Sequence, residues 1–188
     1  VGSEMCIRDR CIKMERTTQK TTRRLEKESS RNQKIIDTAF QIFVERKIEP
    51  VSMGEIAEAA GIGRATLFRC YSSKLELVIA VCAAKWKAYL DELDAKRPIS
   101  SIGDIPAIDR FVFTLDSYID MYQRHKDLLQ YNDNFNHYVT HEGAAQEQLV
   151  DFNRSLYSAN TRFHLMYEKA KEDGTFRTDI PELSLIHI

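Results

Sequence analysis

The sequence predicts an all-α protein. Glycine and proline are scarce, with seven and four among 188 residues, and the Val, Ile and Thr runs typical of strands are few. Apolar residues instead recur at the i, i+3, i+4 spacing of amphipathic helices over much of the chain. Residues 51–74 add a short helix, a glycine turn and a second short helix. These three observations favour a chain built from packed helices.

The two ends of the chain do not continue the patterns of their neighbours. The first ten residues, VGSEMCIRDR, and the last six, LSLIHI, resemble translated sequencing-adapter readthrough. This resemblance predicts a native start at Met14, and an ordinary disordered terminus is the alternative. We therefore expect residues 1–30 to be a disordered or non-native segment that includes a basic arm.

The basic arm covers residues 14–31, which are polar and almost free of apolar side chains. Such a composition favours a flexible segment. Its basic residues either reach DNA phosphates and an adjacent minor groove or form a solvated tail. These residues are Lys20, Arg23, Arg24 and Lys27.

The first convincing helix is predicted over residues 31–47. Its apolar residues repeat at helical spacing and are expected in the core: Ile35, Ile36, Ala39, Phe40 and Phe43. The dipeptide Glu49-Pro50 breaks the chain before the next element.

Residues 51–74, VSMGEIAEAAGIGRATLFRCYSSK, have the pattern of a DNA-binding helix-turn-helix. Ser52 and Glu55 have the spacing of a capping box at the start of the first short helix. Gly61 supplies the left-handed backbone needed at its end. A second helix begins at Arg64 with Leu67 facing inward, and in this motif it enters the major groove by its N-terminal end.

The stretch from Ile35 to Trp86 resembles the N-terminal domain of TetR-family transcriptional repressors. The motif positions are Ile56-Ala57, Gly61, Thr66-Leu67-Phe68, Cys70-Tyr71 and Lys74. Phe68 and Cys70 stand where the family usually has tyrosines, and Gly63 stands where it often has a serine. Each difference removes a hydroxyl that could contact a phosphate or cap the helix.

The resemblance implies an N-terminal three-helix DNA-binding domain over residues 31–97, joined by a long helix to a helical ligand-sensing and dimerisation domain over residues 98–188. It also implies a homodimer that binds a palindromic double-stranded DNA operator and releases it when an unknown small-molecule effector binds. We expect eight residues to contact DNA, with Arg64 reading a guanine edge. These are Ser52, Arg64, Ala65, Thr66, Phe68, Arg69, Tyr71 and Lys74.

A long helix is predicted from the Ser72-Ser73 turn to about Lys96, and a boundary follows at Arg97-Pro98. The amides of that turn, together with Lys74, are a natural phosphate site. Beyond the boundary, aromatic and apolar residues at helical spacing could line an effector pocket. The candidates are Phe111, Leu115, Tyr118, Tyr122, Asn134, His137, Tyr138, Phe152 and Phe163.

Metal and enzyme chemistry find little support in the sequence. His137 and His141 are spaced i, i+4 beside Glu142, but no third ligand follows at a metal-binding spacing. No catalytic triad, glycine-rich phosphate loop or carboxylate pair can be assembled. We therefore predict no enzyme, no cofactor and no bound metal. The alternative is a helical small-molecule or metal-binding module without DNA function.

Charge and apolar patterning bear on partners and location. Residues 1–97 carry a net charge of about +5 and the remainder about −6, so the front half suits an anionic partner. Four cysteines without a CxxC pair favour a reduced, cytoplasmic protein. The longest apolar run, residues 77–84, is too short to span a membrane. Because the family usually adds a further helical pair after the Gly174 turn, we expect a C-terminally truncated chain whose homodimer is weakened.

Overall fold

The computed structural model describes residues 3–98 and 105–143, together with residues 149, 164, 165, 167–169, 171, 172 and 174. Side chains are described from residue 21 onward, except those of residues 107, 108 and 111. The helices in this part of the chain are α1 (Ser3–Arg46), α2 (Met53–Ala59), α3 (Arg64–Cys70), α4 (Lys74–Lys96), α5 (Ala107–Arg124) and α6 (Lys126–His141). No strand occurs among these residues, and the predicted all-α fold class is confirmed.

Helix α1 begins much earlier than the sequence predicted. Residues 3–31 are helical, although their polar composition led us to expect a disordered arm. The segment is rich in Glu, Lys and Arg, which are good helix formers, and this preference outweighs the lack of an apolar face. Arg24 and Glu28 add an i, i+4 ion pair with a separation of 3.1 Å. The charged segment is therefore an extension of the first core helix.

One main hydrophobic core joins the first four helices to α6. The predicted stripe of α1 is confirmed, since Ile35, Ile36, Ala39, Phe40 and Phe43 are all buried. Helix α6 adds four buried residues to the same cluster, namely Tyr131, Phe135, Tyr138 and Val139. A smaller cluster joins Tyr89, Leu90 and Leu93, further along α4, to Leu128 at the start of α6. The core therefore continues across residue 97, where the sequence led us to expect a domain boundary.

Tyr131 of α6 lies at the centre of this packing. Its side chain is fully buried, and its ring lies 5.3 Å from the ring of Phe40 and 6.2 Å from that of Phe43, both on α1. Its hydroxyl donates a hydrogen bond of 2.8 Å to the carbonyl of Val78 in α4. Burial raises the pKa of the hydroxyl well above its usual value, so it stays protonated and keeps donating. One side chain thus fixes α6 to two helices.

Helix α2 starts with the predicted capping box. The Ser52 hydroxyl accepts a hydrogen bond from the Glu55 amide at 3.3 Å, and the Glu55 carboxylate accepts one from the Ser52 amide at 2.8 Å. Arg46 at the end of α1 also contacts this carboxylate, at 2.8 Å. The amide of Ser52 is the largest cause that lowers the pKa of Glu55 to about 2. The start of α2 is therefore fixed by an ionised carboxylate.

Tyr131→Phe is expected to lower the free energy of unfolding by about 1 kcal/mol. The substitution keeps the ring and removes only the buried hydroxyl, while the Val78 carbonyl retains its partner within α4. Urea unfolding followed by far-UV circular dichroism measures the change. Tyr122→Phe is the control, because its side chain is 69% exposed and its loss should stay within about 0.5 kcal/mol. Equal effects of the two variants would contradict the assigned role of Tyr131.

Glu55→Gln is expected to reduce stability at pH 7 and to weaken the dependence of stability on pH. The pKa of Glu55 is lower in the folded chain than in the unfolded chain, so its carboxylate stabilises the fold above the unfolded value of 4.5. That contribution is lost as the pH falls through about 2. Unfolding free energies measured between pH 6 and pH 2 test this, with Glu58→Gln on the same helix as the control. An unchanged pH dependence in Glu55→Gln would contradict the capping box.

Candidate nucleic-acid interface

The turn between α2 and α3 sets the angle between the two short helices. Gly61 has a φ of +65°, the left-handed conformation that the sequence predicted at this helix end. The next amide, of Ile62, donates to the Ala57 carbonyl at 2.9 Å and closes the turn. Leu67 is fully buried beneath α3, also as predicted. The remaining side of α3 is consequently turned toward solvent.

The solvent-facing side of α3 carries four of the residues predicted to contact DNA. Arg64, Ala65, Phe68 and Arg69 are exposed, and Thr66 is half-buried. The ring of Phe68 is 50% exposed and is therefore available for an apolar contact. The arrangement offers guanidinium donors, a hydroxyl and an apolar ring on one short helix, which is the mixture that base edges and phosphates require.

Gly54, which the sequence reasoning did not single out, affects the position of Arg64. A Cβ atom built on Gly54 would lie 2.5 Å from Nη2 of Arg64 and 2.8 Å from its Cζ. The guanidinium therefore lies against the first turn of α2, in the space that a side chain at position 54 would take. A weak signal for this contact is present in the sequence, because a glycine inside a helix costs stability. The Arg64 side chain therefore extends from the N-terminal end of α3 back along α2 to the start of that helix.

The predicted phosphate site at the start of α4 has an occupant within the chain. Ser73 is the N-cap, and its hydroxyl accepts from the Glu76 amide at 3.1 Å. The Glu76 carboxylate in turn accepts from the Ser72 amide at 2.7 Å and from the Ser72 hydroxyl at 2.6 Å. The Glu76 carboxylate thus occupies the position at which the sequence predicted a phosphate. The spacing Ser73-x-x-Glu76 is a capping signal that could have shown this.

Tyr71 and Lys74 differ in how far they remain available to a ligand. Tyr71 is half-buried, and burial is the main cause that raises the pKa of its hydroxyl, which therefore stays protonated. It borders an open groove of about 500 Å³ with Ser72, Ser73 and Glu76. The ammonium of Lys74 instead donates to the Glu49 carbonyl at 2.8 Å. Lys74 accordingly connects α4 to the loop that precedes α2.

Four residues form a contact that we call the head–α6 junction: Glu49, Lys74, His137 and Tyr138. The Glu49 carboxylate lies 3.1 Å from Nδ1 of His137, and the Lys74 ammonium lies 5.3 Å from the ring centroid of Tyr138. Burial lowers the pKa of Lys74, and the pKa of Glu49 is lowered first by its own backbone amide and then by His137. No spacing in the sequence relates Glu49 to His137, so this contact could not have been predicted.

The residues predicted to line an effector pocket are not brought together among the described residues. Leu115, Tyr118 and Tyr122 lie on an exposed face of α5, whereas Tyr138 is buried in the main core. His137 belongs to the head–α6 junction, and Asn134 is half-buried on α6. The candidates on α5 and those on α6 do not share one pocket, because the apolar face of α6 packs on α1 and α4. The side chain of Phe111, and residues Phe152 and Phe163, lie outside the described part.

The histidine pair considered as a metal site does not converge. His137 contacts Glu49, while Nδ1 of His141 lies 4.0 Å from Glu142. A different trio, Glu92, Asp120 and His125, has its ligand atoms within 4.8 Å of one another. The ammonium of Lys96 already bridges the two carboxylates of this trio, at 2.9 and 3.1 Å. The trio is therefore an ion-pair cluster that holds α4 against the end of α5.

Comparisons with known proteins agree with this geometry. Residues 35–81 match the family described as bacterial regulatory proteins, tetR family. The chain is 28% identical over 159 residues to the HTH-type transcriptional repressor KstR2 of Rhodococcus jostii, an alignment that covers 81% of this chain and 71% of that protein. It is 41% identical over 58 residues to the HTH-type transcriptional activator FasR of Mycolicibacterium smegmatis, covering 31% of this chain and 26% of that protein.

Solved structures resemble the fold over most of the chain. The fatty acid degradation regulator FadR from Bacillus halodurans superposes with a TM-score of 0.58 at 18% identity, covering 80% of this chain and 73% of that one. A TetR transcription regulatory protein from Mycobacterium vanbaalenii superposes with a TM-score of 0.56 at 20% identity, covering 87% and 90%. At these identities the likeness supports the fold alone.

The matched segment contains the helix-turn-helix, its buried Leu67 and the beginning of α4. The relatives that share it are DNA-binding transcriptional regulators rather than enzymes. The chain thus resembles TetR-family bacterial transcriptional regulators, and residues 35–81 match the model of that family.

Proposed function

We propose that the protein binds a palindromic operator as a homodimer through α3 and releases it when a small molecule binds the C-terminal half. The observation that carries this proposal is the exposed side of α3, with two guanidinium groups above a fully buried Leu67. A two-fold dimer would set two such helices about 34 Å apart, the spacing of successive major grooves on one side of a duplex. Each α3 would then read one half-site.

The residues of the proposed DNA interface divide into those that contact bases and those that contact phosphates. Arg64, at the end of α3 that enters the groove, is proposed to pair with a guanine edge, and the exposed ring of Phe68 to contact a thymine methyl. Hydrogen-bond donors around these two residues are proposed to contact the phosphates. We assign them to Ser52, Thr66, Arg69 and Tyr71, with Ala65 leaving room for the backbone to approach. We assign Lys74 to the head–α6 junction instead, because its ammonium already has partners there.

Effector control is proposed to act through α6. This helix shares the main core with the DNA-binding helices and contacts the loop before α2 through His137. A ligand that prefers one position of α6 would therefore shift the arrangement of the DNA-binding helices α1–α3. The exposed apolar residues of α5, Leu115, Tyr118 and Tyr122, are proposed as one wall of the effector site.

Repression is the proposed direction of control. The relative aligned over most of the chain is named a repressor, whereas the activator is aligned over only 58 residues. A regulator that binds chromosomal DNA works in the compartment that holds it, which is the cytoplasm of a bacterium. We therefore propose a cytoplasmic repressor whose effector relieves repression.

Arg64→Ala is expected to remove about 1–3 kcal/mol of discrimination between promoter DNA and a scrambled duplex. The promoter DNA of the protein's own gene and a scrambled duplex of equal length are the two probes. Fluorescence anisotropy across a salt series measures both affinities. With eight to ten phosphate contacts per dimer, the wild-type chain should give a log–log slope of about −7 to −9.

Arg124→Ala is the matched control, because it removes an arginine whose side chain is 70% exposed at the end of α5, outside the proposed interface. It should retain the promoter preference of the wild-type chain. If the wild-type chain, Arg64→Ala and Arg124→Ala all prefer the promoter duplex equally, Arg64 does not read bases. A wild-type chain that binds neither duplex at low salt would overturn the repressor proposal itself.

A further inference from the structure

The N-terminal part of α1 carries a basic stripe, which we define as Arg23, Arg24, Lys27, Arg31 and Lys34. At about 100° per residue, these five positions fall within an arc of about 100° around the helix. Four of the side chains are exposed and Arg31 is half-buried. The buried residues of α1 that follow, such as Ile36 and Phe43, lie on another side of the helix. Most of the stripe therefore points away from the core, and the half-buried Arg31 lies at the edge nearest to it.

Two contacts show where the stripe lies relative to α3. Arg46 of α1 is 2.8 Å from Glu55 near the start of α2, and the Lys34 ammonium would lie 3.6 Å from a Cβ atom built on Gly61 after its end. Helices α1 and α2 therefore run side by side in opposite directions. Residue 34 is level with the turn from which α3 begins. At 1.5 Å per residue, position 23 lies about 17 Å further along the axis, beyond that turn.

Among the side chains that the structure describes, the charges of the stripe are only partly compensated. Arg24 contacts Glu28, but this pair is exposed, with side-chain exposures of 79% and 38%, and such pairs contribute little. The stripe projects past the same end of α3 that carries Arg64. A polyanion that extends from the Arg64 guanidinium along α2 and past the α2–α3 turn would therefore meet the stripe. Duplex DNA carries one charge per about 1.7 Å of its axis and is the polyanion already proposed for α3.

We propose that the basic stripe is a second DNA-contact surface, which binds phosphates flanking the groove entered by α3. This inference rests on the proposed function and extends it from the helix-turn-helix to the helical N-terminal segment. The stripe would read no bases, because it meets the outside of the duplex. It would add affinity to any sequence and lengthen the stretch of DNA that each chain covers.

The test removes three charges from the stripe by Arg23→Gln, Lys27→Gln and Arg31→Gln, since glutamine retains a high helix propensity. The control removes three exposed charges elsewhere, by Lys87→Gln, Arg124→Gln and Lys126→Gln, and has the same net charge. Fluorescence anisotropy is measured for both with the promoter duplex and the scrambled duplex across a salt series. Far-UV circular dichroism checks that helix content is unchanged.

The stripe variant is expected to lose affinity for both duplexes by the same factor and to reduce the magnitude of the log–log slope by about 2–3 for each chain bound. The control should keep the wild-type slope. Arg23→Lys with Arg31→Lys, which retains both charges, should also keep it. Shortening the duplex to the two half-sites should erase the difference between the stripe variant and the control.

A stripe variant that matches the control in slope and affinity would overturn the second surface while leaving the role of α3 intact. A loss confined to the promoter duplex would also contradict it, because phosphate contacts do not depend on sequence. A wild-type chain that binds neither duplex would overturn the stripe and the repressor proposal together. The three results are distinct.

Discussion

The burial of Tyr131 between α1 and α4 is the contact on which the rest of the arrangement depends. Its ring packs on Phe40 and Phe43, and its hydroxyl reaches the backbone of α4. A buried hydroxyl is tolerated only where a partner meets it, so this bond fixes both the rotation and the position of α6. The position of α6 then determines which residues approach the DNA-binding helices.

The head–α6 junction extends this constraint to the interface. Glu49 precedes the capping residue Ser52 by three positions, so a force applied to Glu49 acts on the first turn of α2. His137 and Lys74 contact Glu49 from α6 and α4, and both contacts are polar and close to the surface. Such contacts rearrange at lower cost than the packing around Tyr131. Movement of α6 would therefore displace the Glu49 loop before it disturbs the packing of the core.

Local signals in the sequence were sufficient to predict the helices of the DNA-binding domain. The spacing from Ile35 to Phe43, the Ser52–Glu55 box and Gly61 each depend on neighbours within a few residues, and each is found as predicted. The contacts that failed prediction join distant residues. Glu49 and His137 are 88 positions apart, and the packing of α6 separates Tyr138 from Tyr122 although both are aromatic residues at helical spacing. Periodicity identifies an apolar face but not the helix that covers it.

The N-terminal segment shows how composition and propensity can disagree. Low apolar content predicted disorder for residues 14–31, because such a segment buries too little surface to offset its ordering entropy. Attached to α1, however, the segment continues a helix that the core has already nucleated, which removes the most unfavourable step of helix formation. A helix also fixes Arg23, Lys27 and Arg31 on one side before any ligand arrives. Preorganised charges lose less conformational entropy on binding than those of a flexible arm, so the same residues can contribute more affinity.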